Sequence, residues 1–113
     1  MLAALAELQR GAQAIHALTE QFAGARDGED QIAQQLKRRY SRFKRTLMGA
    51  GFDNMAQLAG SMEIAAKRGG SQRTKARILR EGAASIRFQL EMEEKTIRQT
   101  EVQSDDEGAG KED

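Results

Sequence analysis

Between Gln31 and Leu47 the chain reads QIAQQLKRRYSRFKRTL, and Ile32, Leu36, Tyr40, Phe43 and Leu47 recur in it at steps of three and four. That period belongs to an α-helix with one buried stripe; a strand would alternate at every second residue. Around the rest of the same helix stand Lys37, Arg38, Arg39, Arg42, Lys44 and Arg45, with no acid among them. A helix written this way needs other helices behind its stripe and a counter-charge in front of its cations. Tyr40 and Phe43 lie on the stripe, so they belong to the core and not to a stacking surface.

Composition narrows the fold further. There is no proline and aromatic residues are few, which favours helices over sheets. A length of 113 residues suits one small domain. The expected fold is all-α, a small three- to four-helix bundle with a long C-terminal helix and a disordered acidic tail. One helical domain should occupy residues 1–102, with helices at about 2–22, 29–48, 54–68 and 72–99, and the tail should occupy 103–113.

Local signals place the boundaries. Asp27 is the expected cap of the second helix, with Glu29 and Asp30 in its positive first turn, and Gly49 and Gly51 should end it. Asp53 or Asn54 should cap the third helix and Ser71 the fourth, across the Gly69-Gly70 turn. Gly11 predicts a close helix contact, whereas Gly82 is a point where the last helix could kink. Arg87, Glu91 and Lys95, and Glu94 with Arg98, form four-residue ladders that suit a long exposed helix. Helices two and three should form a short antiparallel hairpin along which the longer helices one and four pack. Heptad-like spacing on the last helix points to dimerisation or higher assembly.

Net charge is +1, yet the charges are sorted along the chain. Twelve Lys and Arg stand between Lys37 and Arg80 against only Asp53 and Glu63, while both flanking segments are acidic. Arg outnumbers Lys, and its planar fork suits phosphate.

Several function classes lose support at this point. With no cysteine, neither a disulfide framework nor a thiolate metal site is available. MLAALAELQRG lacks a basic leader and is interrupted by Glu7 and Arg10, so it reads as neither a signal peptide nor a membrane span, and a cytoplasmic address is expected. His16 is the single histidine, expected to pair on the helix surface with Glu20, and no nucleophile accompanies it. The acidic groups at Asp27 to Asp30 and Asp105 to Glu107 lack the spacing of a calcium loop. The expectation is a non-enzymatic protein without metal or cofactor.

The candidate anion-binding residues are Lys37, Arg38, Arg39, Arg42, Arg45, Ser71, Arg73, Lys75, Arg77 and Arg80. Gly69-Gly70-Ser71 opens a helix whose free amides and positive dipole end are joined by Arg73 and Lys75, an arrangement that is comfortable beside an anion. The stretch IAAKRGGSQRTKARIL resembles a helix-turn-helix at Ile64, Ala65, Gly69, Ser71, Thr74, Arg77, Ile78 and Leu79, which would make Ser71–Arg80 a recognition helix. It departs from that motif at Arg68, Gly70 and Lys75, where apolar residues are usual. The leading expectation is a small accessory protein of bacterial or phage type that grips the DNA or RNA backbone. The alternative is a helical adaptor, secretion chaperone or scaffold subunit, a homo-oligomer or the partner of another helical protein, assembled through complementary basic and acidic faces.

Overall fold

Apolar stripes at helical spacing produce four helices, α1 (Leu2–Gly24), α2 (Glu29–Gly49), α3 (Asp53–Lys67) and α4 (Gln72–Gly110). The computed structural model describes the backbone of residues 2–110 and the side chains of residues 2–100. Each helix packs on the next and α4 returns to α1, closing a ring in which α2 and α4 lie on one diagonal. The α2–α3 and α1–α4 pairs are the most intimate, as the short hairpin between the two middle helices requires. The molecule measures 64 × 23 × 18 Å. Its length comes from α4, whose 39 residues span about 58 Å at 1.5 Å per residue.

The core follows the stripes closely. Leu5, Leu8, Ala12, Ile15 and Phe22 of α1 meet Leu36, Tyr40, Phe43 and Leu47 of α2, with Met55, Ala59 and Met62 of α3 and Leu79, Ala83, Ile86 and Leu90 of α4 completing it. Leu18, Leu58, Ala65 and Ile97 are half-buried at its margin. Two helix pairs approach through glycine. A Cβ on Gly11 would stand 3.1 Å from the Phe43 ring, so this glycine lets α2 lie close on α1. At Gly82 a Cβ would overlap Met62, whose Cγ would be 2.7 Å away. The helix runs on through Gly82 without interruption; the residue makes room for a neighbour where the sequence suggested a bend.

The helix ends correct two expected caps. Gly28, in the left-handed region at φ 71°, precedes α2 without a side-chain cap, so Asp27 does not cap that helix. Phe52 precedes α3, also without one, so neither Asp53 nor Asn54 occupies the capping place and Asp53 lies within the first turn. The end of α2 is the expected glycine device: Gly51 has φ 86°, its N–H donates to Met48 O at 3.1 Å, and Phe52 N–H donates to Leu47 O at 2.9 Å. Those paired bonds make a Schellman motif, with Phe52 folding back toward the core. Ser71 does cap α4, accepting the Thr74 N–H at 3.4 Å.

The two turns at that end of the bundle are joined by one side chain. Gln72 Nε2 donates to Phe22 O and to Ala25 O, both at 2.8 Å, satisfying carbonyls that the end of α1 leaves open. The α4 backbone continues as helix to Gly110, past the end near Gln99 that its apolar stripe suggests. The acidic tail expected over 103–113 falls on positions whose side chains are not described, and 111–113 lie outside the described residues.

Tyr40 has no exposed surface, and its hydroxyl finds no hydrogen-bond partner among the described residues. Burial pushes that phenol's pKa upward, the mark of a polar group held away from water. Tyr40→Phe should therefore stabilise the protein by about 1 kcal/mol, since an unpartnered buried hydroxyl costs roughly 1–3 kcal/mol; a urea titration followed by circular dichroism checks this. Gly82→Val should cost on the order of 1–3 kcal/mol through overpacking. Combined with Met62→Ala, the loss should be smaller than the sum of the two single losses, a coupling readable in a double-mutant cycle.

Candidate anion-binding surface

Burying one stripe of α2 fixes where its cations go. Lys37 and Lys44 flank the stripe on the side of α3, Arg39 and Arg42 on the side of α1, and Arg38 and Arg45 point outward between them. Lys37 and Lys44 are half-buried by their stems, whereas Arg38, Arg39, Arg42 and Arg45 are exposed. The belt therefore wraps the whole outward surface of α2. No ion pair reaches any of the six among the described residues.

Three depressions gather the charge on and beside α2. Gln35, Arg38, Arg39 and Arg42 line a shallow one of about 310 Å³ on α2 itself. Arg39 and Arg42 also border a groove against Glu7 and Gly11 of α1. At the turn end of the bundle, Lys37, Lys67, Arg68, Gly69 and Lys75 surround a hollow of about 280 Å³, with Asp30 on its rim. Here three helices bring together cations distant in sequence. Lys67 and Arg68, which the sequence places in the basic middle segment but outside the named candidate set, join this cluster. Lys75 Nζ also lies 5.6 Å from the centroid of the Phe22 ring, a cation–π contact that holds the side chain at the turn.

The remaining candidates stand on the first turns of α4. Arg73 and Arg77 are exposed and line an open depression with Arg80 and Glu81. Ser71 is exposed and caps the helix with its hydroxyl. Arg80 differs from the others. Its Nε and Nη2 donate to the two Glu20 carboxylate oxygens at 2.8 Å each, so its charge is already matched. The same contact corrects the expected pairing of Glu20 with His16: Glu20 turns across to α4 instead. Arg80's forked hydrogen bond holds the Glu20 carboxyl below its ordinary pKa, against a smaller opposing effect of burial.

Other expected pairs on α4 are redistributed. Of the ladders, only Glu94 with Arg98 closes, at 3.4 Å, and Glu94 also accepts a 2.8 Å hydrogen bond from Gln9 of α1. The Gln9 amide, followed by Arg98, keeps Glu94 below the usual carboxylate range. Glu91 and Glu93 form no ion pair with the basic belt among the described residues.

The segment that resembles a helix-turn-helix is organised differently. Ile64 and Ile78, two apolar positions carrying that resemblance, are 56% and 38% exposed. Ser71–Arg80 is not a short separate helix but the cap and first turns of α4, held along α1 and α3. A recognition helix standing free of its bundle is not formed.

Among the described residues, no three His, Asp or Glu side chains converge as a metal site, and no helix is long and apolar enough to cross a membrane. No protein-family model matches the chain, and neither a curated protein nor a solved structure matches it.

The carboxylate contacts contribute to the acid limb of stability. Glu20 and Glu94 have lowered pKa values in the folded state, so their contribution is complete above the ordinary glutamate pKa and is lost as pH falls through the lowered folded values. Thermal midpoints should decline below the ordinary glutamate range, and the decline should be shallower in Glu20→Gln, as followed by calorimetry across pH.

Proposed function

We propose that this protein binds the phosphate backbone of nucleic acid, without chemistry of its own, through the cations that cover α2 and the turn between α3 and α4. The observation that carries the reading is the belt from Lys37 to Arg45: six cations whose partners are not found within the described part of the chain. Along the helix axis that run covers about 12 Å, or roughly 2 Å per charge, close to the spacing of about 1.7 Å per charge along duplex DNA. The match is one of charge density and not of sequence reading, since the cations surround the helix and only part of the belt can face one ligand.

Lys67 and Arg68 extend the belt at the turn, beside Lys37 and Lys75. Arg73 and Arg77 provide a second approach on α4, while Arg80, held by Glu20, drops out of the grip. Tyr40 and Phe43 are in the core, so they supply no platform on which bases would stack. Recognition of this kind is governed by backbone charge and is largely indifferent to base identity.

Affinity should therefore depend steeply on salt. With about three to five phosphates engaged, log K for a duplex should fall with log salt at a slope of roughly −3 to −5. Fluorescence anisotropy with labelled duplex and single-stranded oligonucleotides measures this directly. Arg38→Ala together with Arg42→Ala should lower the slope by about two, whereas Arg80→Ala should leave it almost unchanged. Absence of binding at about 50 mM salt, or binding with no salt slope, would end the reading.

A further inference from the structure

Phe88 and Met92 stand in solvent on the outward face of α4, 62% and 45% exposed. Neither is needed by the bundle, and the belt on α2 lies across the diagonal from them. The same stripe carries Glu81 seven residues before Phe88 and Lys95 seven residues after it, both exposed and both without an ion-pair partner among the described residues. Seven residues turn a helix by about 20° less than two full turns, so Glu81, Phe88 and Lys95 share one line on its surface. Phe88 is the midpoint of an acid and a base placed about 21 Å apart along the axis.

From this placement we infer that the outward stripe of α4 is the contact surface of a twofold-symmetric dimer of this chain, with the two α4 helices antiparallel and Phe88 on the axis. In that register Glu81 of each copy meets Lys95 of the other, Phe88 meets its own image, and Met92 lies over the exposed small residue Ala84. A parallel register would set Glu81 against Glu81 and Lys95 against Lys95, so like charges exclude it. A closed twofold contact uses one self-complementary patch on both copies, and this patch is self-complementary in charge and in size. The contact covers one helix face about four turns long, which places the dimer among weak and reversible associations. It leaves both α2 belts facing outward on opposite sides of the assembly.

Sedimentation of the full chain between about 5 and 500 μM should show a monomer–dimer equilibrium, a range that brackets weak association. Phe88→Asp, at a surface position that leaves the fold intact by circular dichroism, should raise the dimer dissociation constant at least about tenfold. Glu81→Lys should weaken the dimer several-fold by facing lysine with lysine at both ends, and adding Lys95→Glu should restore it. A monomer throughout the concentration range overturns the inference. So does a dimer indifferent to Phe88→Asp, or one in which the charge reversal at Lys95 fails to rescue Glu81→Lys.

Discussion

Everything outward on this molecule is set by the burial of one stripe of α2. Leu36, Tyr40 and Leu47 have no exposed surface and Phe43 is nearly covered, held in place by a ring edge lying where a side chain on Gly11 would otherwise be. A helix with one stripe committed to the core has no freedom to turn its other faces. The six cations between Lys37 and Arg45 are therefore carried to the surface by apolar packing, against a like-charge repulsion of roughly 0.2–0.5 kcal/mol for each pair one turn apart. Electrostatics alone would scatter them toward the acidic ends of the chain; it is the larger hydrophobic contribution, roughly 1.5–3 kcal/mol for each large buried side chain, that decides their place.

The surrounding architecture divides the charge between the chain and its surroundings. Acidic side chains on α1 and α4 are drawn into local contacts, Glu20 by Arg80 and Glu94 by Gln9 and Arg98. Two of those contacts, Glu20 with Arg80 and Gln9 with Glu94, tie α1 to α4, and none takes up one of the six cations of α2. Surface pairs of this type contribute little individually. Their greater consequence is spatial: they join Glu20 and Gln9 of α1 to Arg80 and Glu94 of α4.

The long last helix has two distinct parts to play. Its inner stripe, Leu79, Ala83, Ile86 and Leu90, closes the core, and its first residue, Gln72, ties the α1–α2 and α3–α4 turns together. Its outer stripe does none of this. Phe88 and Met92 lie there beside small and oppositely charged residues, a surface with the pattern of an interface and no partner within its own bundle. Ring closure explains why: once α4 has packed on α1 and α3, the face turned away from the centre has no fifth helix to meet.

What could be read directly from the residues was whatever follows from period and composition. Four helices, the apolar stripe of each, the glycine stop after α2, the Ser71 cap and the uncompensated charge of the middle segment are local properties, carried by spacing of three and four and by side chains within a turn of one another. The missed caps at Asp27 and at Asp53 or Asn54 show the limit of that locality, since loop geometry chose Gly28 and Phe52 for those places. Only the tertiary arrangement could decide that Arg80 belongs to Glu20 and not to the belt, that Lys67 and Arg68 join Lys37 and Lys75, and that Gly82 admits Met62 instead of bending a helix. Each of those outcomes joins residues on different helices, and a one-dimensional pattern records which face a side chain occupies but not which neighbour the packing of helices brings against it.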